Sequence, residues 1–293
     1  MEIALRVNQL KQSFTVADGT TKEVLKGINF SIPKGALTGF IGINGAGKTT
    51  TIKSLLGFIK AQEGGFEFFG EKGLTTLGRR KLGFMPERPY FYDFLTGHEF
   101  LSLHWKLRGL AINEEFEKRC DTVLAAVDLA RAKYWRLRQF SKGMLQRIGI
   151  AQAIMHSPEL LILDEPMSGL DPDGRVLVKN IIKDLHAKGT TIFFSSHLLQ
   201  DMEELCDRLV IIDKGTIIYE GSLLELDLNG IEEFTMTIAR LDGNLETLTV
   251  NRRDLQQTID LKRKENYQIT QIIPQKRSLE EAFIDLRRKR ASQ

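Results

Sequence analysis

The segment Gly42-Ile43-Asn44-Gly45-Ala46-Gly47-Lys48-Thr49 fits G-x-x-x-x-G-K-[ST] and falls between an apolar run and a helical one. Glycines at this spacing let a backbone wrap an anion with its N–H groups. A helix starting there adds roughly half a positive charge. Lys48 can then reach the β- and γ-phosphates of a nucleotide, and Thr49 can offer its hydroxyl to Mg²⁺, with Thr50 beside it in the same turn. Alone, the loop marks only a binder of nucleotide phosphates. A second group narrows the chemistry. Leu160-Leu161-Ile162-Leu163 runs into Asp164-Glu165-Pro166. Two acids at the end of a buried apolar strand are costly unless they have partners, and a metal ion supplies one. Asp164 would hold Mg²⁺ through water, and Glu165 would orient or deprotonate an attacking water.

These residues need a scaffold, and the hydrophobic pattern provides one. Residues 3–7, 24–41, 65–70, 82–86, 160–163, 190–195, 209–212 and 216–221 read as strands, with a turn at Pro33-Lys34-Gly35. Helical patterns cover 49–58, 97–107, 113–129, 141–156, 173–187 and 197–205, with Ser141 placed as an N-cap. Alternating strands and helices predict an α/β fold with a mainly parallel sheet core. The character changes after Gly221. Residues 222–293 are balanced in charge and carry the Thr/Ile-rich patches EFTMTI and TLTVN, with helical ends at 225–229 and 278–290. They read as a small α+β appendage to a domain spanning 1–221. Arg287-Arg288-Lys289-Arg290 forms a local basic cluster near the chain end.

Composition excludes several classes. With 293 residues, two domains are expected, and 42% hydrophobic against 27% charged residues argues against wholesale disorder. The formal net charge of +3 is too small to announce a nucleic-acid groove. Cys120 and Cys206 form neither a disulfide framework nor a metal spacing, which suits reduced thiols in the cytosol. No stretch approaches the ~20 apolar residues of a membrane span, and the first residues lack the apolar core of a signal peptide. A cytoplasmic location is therefore expected, with any membrane role exercised from the surface.

Taken together, the motifs resemble those of the ATP-binding subunits of ABC transporters, over about residues 1–221. Gly42–Thr49 is similar to the Walker A loop of that family and Leu160–Glu165 to its Walker B strand. Phe140-Ser141-Lys142-Gly143-Met144 stands where the family has its signature, Ser168-Gly169-Leu170-Asp171 resembles its D-loop, and His197 sits where its switch histidine belongs. The resemblance implies a P-loop NTPase fold with an antiparallel β subdomain and a helical subdomain at about 88–140. It implies that Ser141 and Gly143 offer a helix N-terminus to the γ-phosphate on an opposite subunit, that Asp171 crosses that interface, and that His197 contacts the γ-phosphate. It also implies that Phe14 stacks on adenine and that Glu87 takes a Mg²⁺ or water contact. The family usually has Gln at the position of Glu87, and Gly and Gln at those of Lys142 and Met144.

The resemblance further implies ATP and Mg²⁺ as ligands, a head-to-tail homodimer around two ATP molecules, integral membrane permease subunits as partners, and a position on the cytoplasmic face of the membrane. No nucleic-acid partner is expected. The aromatic stretch 88–110 is expected to divide between a subdomain core and a socket for a permease helix. The turn MPERPYFYDFLTG, the SKGM signature and the ending SLEEAFIDL resemble the ATPases of bacterial exporters of drugs, lipids or polysaccharides. A soluble ABC-type ATPase acting on DNA or ribosomes, and a regulatory module that moves no cargo, stay open as alternatives.

Overall fold

A computed structural model describes residues 2–15, 19–226, 233–239, 244–275 and 278–291. Contacts divide the chain into two compact units, Met1–Glu220 and Gly221–Gln293. In the first, the strands and helices run β1 (Ile3–Thr15), β2 (Thr21–Pro33), β3 (Leu37–Ile41), α1 (Lys48–Leu55), β4 (Glu63–Phe68), β5 (Glu71–Lys72), α2 (Thr76–Lys81), β6 (Leu82–Met85), α3 (Gly97–Leu107), α4 (Glu114–Ala126), α5 (Lys142–Ile154), β7 (Leu160–Leu163), α6 (Pro172–Ala187), β8 (Thr191–Ser196), α7 (Leu199–Leu205), β9 (Arg208–Asp213) and β10 (Thr216–Ser222).

Six strands form one sheet in the order β10-β9-β3-β8-β7-β6, and β9, β3, β8, β7 and β6 are mutually parallel. Strands β3, β7 and β8 are buried along their whole length, as parallel strands covered on both faces must be. The register aligns their C-terminal ends: Ile41 pairs with Ser196, Leu163 with Phe194 and Met85 with Leu163. The loops after β3, β6, β7 and β8 therefore leave from one edge, where open α/β sheets bind ligands.

An antiparallel sheet, β2-β1-β4-β5, packs on this core. Phe30 of β2 meets Phe40 of β3 and Phe193 of β8, each pair with ring centroids 5.8 Å apart, and Phe40 and Phe193 are 5.2 Å apart. Burying each ring contributes about 2 kcal/mol, and the triad fixes the strand that delivers the glycine loop. On the helical side, α7 packs against β3 and β8, α6 against β8 and α5 against β6.

The second unit pairs β11 (Glu233–Ala239) with β12 (Leu245–Asn251) and β13 (Gln268–Gln275), both antiparallel, and holds α8 (Leu255–Lys264) and α9 (Leu279–Ala291). Met236, Ile238 and Val250 form its small core, with Leu255 and Ile259 of α8 packed against it.

Several element boundaries differ from the sequence reading. β1 runs eight residues further than the expected 3–7, through a polar stretch where register shifts break the alternation. Helix α2 was not expected, being six residues long with Gly78 inside. Strand β13 carries Pro274, which argues against a strand interior, yet it lies at the edge of its sheet, where proline is tolerated. Most of the helical end expected at 225–229 lies outside the described residues; a single 3-10 turn at Leu223–Leu226 is present.

Candidate nucleotide site

The loop after β3 closes into the first turn of α1. Gly47 is the N-cap residue with φ 117°, it brings no side chain to the helix end, and the first turn holds no acidic residue. The free N–H groups there are thus left for an external anion. Gly47 must be glycine on two counts. Its φ is in the left-handed region, and a Cβ would come within 2.8 Å of the Leu25 side chain from the neighbouring sheet.

A cavity of about 840 Å³ opens at this loop. The sequence candidates Phe14, Asn44, Gly45, Ala46, Gly47, Lys48, Thr49, Thr50, Glu87, Glu165 and His197 all line it. Gly42 lies just beneath, where its carbonyl accepts a 2.6 Å hydrogen bond from Lys48 Nζ. Lys48 Nζ is also 3.4 Å from Glu165 Oε1, and both side chains are largely buried. The other carboxylate oxygen, Glu165 Oε2, is 2.8 Å from His197 Nδ1. An ionised carboxylate only accepts, so Nδ1 carries the proton in this contact.

Glu165 sits at φ 50°, a costly conformation for a residue with a Cβ. Its backbone is held on several sides. Its N–H donates to Ser195 Oγ at 2.9 Å, and its carbonyl accepts from Ser168 N–H at 3.0 Å. One residue on, the Pro166 carbonyl accepts from Gln146 Nε2 at 2.8 Å.

Asp164 is buried behind Glu165 and accepts a 2.6 Å hydrogen bond from Ser195 Oγ. Burial pushes its carboxyl above the ordinary aspartate range, and the neighbouring carboxylates of Glu165 and Glu87 add to the rise. The Ser195 hydrogen bond and Lys48 oppose it. A desolvated carboxylate repelled by two others is in need of a cation. Among the described residues, no group of three His, Cys, Asp or Glu side chains could hold a metal unaided. The Thr49 hydroxyl and the Asp164 carboxylate are hard oxygen donors, the kind that suit Mg²⁺ completed by phosphate oxygens and water. The residues fit that ion.

Sequence comparison matches residues 25–168 to the family described as ABC transporter. An uncharacterised ABC transporter ATP-binding protein of Synechocystis sp. is 45% identical over 208 residues, covering 70% of this chain but only 58% of its own length. The bacitracin transport ATP-binding protein BcrA of Enterococcus faecalis is 40% identical over 230 residues, covering 77% of this chain and 71% of its own. A solved ATP-binding subunit of an ABC transporter superposes with a TM-score of 0.67 at 33% identity, covering 77% of this chain and 92% of its own. The chain belongs to the ABC transporter family.

Its ATP-binding cassette is the ATPase domain of that family, and not all of its marked residues meet at the cavity. Ser141, Gly143 and Asp171 do not line it. Ser141 caps α5, its hydroxyl accepting from Met144 N–H at 3.2 Å, and Asp171 caps α6, accepting from Gly174 N–H at 3.0 Å. Here the two motifs of the cassette meet each other. Gly143 faces Leu170, and a Cβ on Gly169 would collide with Lys142 Nζ. Lys142 thus lies over the glycine of its own D-loop segment.

The cassette's cavity also holds residues that sequence reasoning passed over. Lys22, Glu23, Val24 and Lys26 come from β2, and Lys214 from the turn between β9 and β10. Ser195 and Gln146 were missed as well. For Ser195 a signal existed: it is a hydroxyl directly after the apolar run Ile192-Phe193-Phe194, two residues before His197.

Proposed function

We propose that the chain binds and hydrolyses ATP as one half of a head-to-tail homodimer, and that it drives conformational change in a membrane permease to export cargo. The observation that carries the reading is the alignment of Lys48, Glu165 and His197 on one edge of the cavity, joined by contacts of 3.4 and 2.8 Å. When nucleotide enters, Lys48 exchanges its bond to the Gly42 carbonyl for the β- and γ-phosphates, and the open N–H groups of the α1 terminus wrap them. Glu165 takes a proton from the attacking water, and its strained backbone holds the carboxylate toward the cavity. His197 keeps that carboxylate oriented through Nδ1 and accepts at Nε2 from the water or a protonated γ-phosphate. Thr49, Asp164 and Glu87 would hold Mg²⁺, which neutralises the charge that develops on the phosphates. Phe14, half-exposed at the cavity, stacks on adenine.

Met1–Glu220 serves as the nucleotide-binding domain and Gly221–Gln293 as an accessory domain. Ser141 and Asp171 are exposed on the first and Gly143 is half-buried between them, an arrangement that suits residues serving a partner subunit's nucleotide. Among the described residues no helix is long and apolar enough to cross a membrane. Phe100 and Trp105 are buried in the helical subdomain, whereas Tyr90 is 84% exposed, Phe94 61% and Tyr134 69%. Exposed aromatics of this kind suit a socket for a permease helix on the cytoplasmic side of the membrane. The bacitracin transport relative supports a role in transport. Phosphate release from ATP tests the hydrolysis. A steady turnover that Glu165→Gln lowers about a hundredfold or more is expected; turnover unaffected by that change would contradict the reading.

A further inference from the structure

Ser195 is fully buried on β8, and its single hydroxyl serves two consecutive residues at the end of β7. It donates to Asp164 Oδ1 at 2.6 Å and accepts from the Glu165 backbone N–H at 2.9 Å. One oxygen therefore joins the carboxylate placed to face Mg²⁺ to the backbone of the residue placed to face water. The geometry matters because Glu165 is at φ 50°, where an L-residue stays only if its surroundings hold it. Of the contacts that hold it, the Glu165 carbonyl bond to Ser168 is local and the Gln146 bond lies one residue further along. The N–H bond to Ser195 is the one that ties Glu165 to β8, the strand that continues into His197. Both ends of the Glu165–His197 contact are thereby referred to the same strand.

We infer that Ser195 is a positioning residue for ATP hydrolysis, which sets the Glu165 carboxylate and the Asp164 carboxylate in a fixed relation without touching nucleotide. The inference rests on the hydrolysis reading above. Removing the hydroxyl leaves a buried N–H unpaired and lets the strained turn relax, and a shift of about 1 Å at a reacting group can cost on the order of a hundredfold in rate. Nucleotide affinity, which depends on the α1 terminus and Lys48, stays where it was.

The test uses the full chain with Ser195→Ala, and Ser195→Cys as a nearly isosteric variant whose sulfur is a weak donor and acceptor. Turnover is read as phosphate release at saturating ATP, and affinity by titration with a fluorescent ATP analogue. A fall in kcat of about a hundredfold in both variants, with affinity within about threefold, is expected. A kcat within twofold of the parent in either variant, or a loss of affinity that matches the loss of kcat, would overturn the inference. A double mutant with Glu165→Gln separates this from the parent reading. If Ser195 acts through Glu165, the double mutant is no slower than Glu165→Gln alone; independent, multiplying losses would overturn the positioning role. If Glu165→Gln itself turns over at the parent rate, the hydrolysis reading fails first.

Discussion

His197 Nδ1 lies 2.8 Å from Glu165 Oε2 although the two residues end different strands, β8 and β7. The contact exists because those strands are parallel neighbours in register, Leu163 beside Phe194. If the histidine orients the carboxylate, His197→Ala should lower phosphate release at saturating ATP by about a hundredfold while nucleotide still binds. Turnover close to the parent would show the pair to be a structural contact only.

Lys48 is held between the Gly42 carbonyl and Glu165 with its side chain nearly buried. It is the cavity lysine seated on the phosphate loop itself. Lys48→Ala should weaken ATP binding by at least about tenfold, the loss expected for one charge-assisted hydrogen bond of 1.5–3 kcal/mol. Titration with a fluorescent analogue reads this directly, and unchanged affinity would remove the phosphate-loop assignment.

Asp164 gives a test against intuition. Its folded-state value is raised above that of the unfolded chain, so its stabilising contribution is present below the ordinary aspartate range and is lost as pH rises through the raised value. At neutral pH the ionised form opposes folding. Asp164→Asn removes the charge and keeps an acceptor for the Ser195 hydroxyl. Without nucleotide, the variant should melt higher than the parent at pH 7.5, by about 2–4 °C, while Mg²⁺-supported turnover is lost. A lower Tm would contradict the electrostatic account of this site.

How much of this was legible follows from where each residue gets its meaning. The glycine loop, Asp164-Glu165 and His197 each follow a fully buried strand, and a continuous apolar run is visible in a single sequence. Ser195 and Gln146 act only through partners 30 and 20 residues away, and no local pattern reveals such a pairing. Lys22 and Lys26 reach the cavity because a second sheet folds over the first, and Lys214 because the β9–β10 turn is bonded to the glycine loop through Gly215 N–H and the Ala46 carbonyl. Helix α8 was missed for another reason: none of its residues is buried, so its apolar stripe is faint among Gln, Asp and Lys.

Acid stability offers a further check, away from the cavity. Burial, reinforced by Arg108, pushes His156 down from 6.5 to about 4, and its Nε2 donates to the Leu82 carbonyl at 3.0 Å. A histidine held neutral in the native state contributes stability that is present above its unfolded value and lost as pH falls from about 6.5 toward 4. His156→Gln keeps a donor and cannot be protonated. The drop in urea midpoint between pH 7 and pH 4.5 should be smaller in the variant than in the parent; an equal drop would assign the acid sensitivity elsewhere.

The role at a membrane proposed for this ABC family member is tested most directly by capture. Tagged Glu165→Gln protein with ATP is incubated with detergent-solubilised native membranes, and Tyr92→Ala/Phe94→Ala is made in the same background, since these two rings pack together at 5.9 Å on the exposed aromatic surface. A multi-span membrane protein retained in an equal amount by the first protein, and lost from the second, is the expected result. A soluble protein or nucleic acid retained in its place, with no membrane protein, would contradict the transport reading.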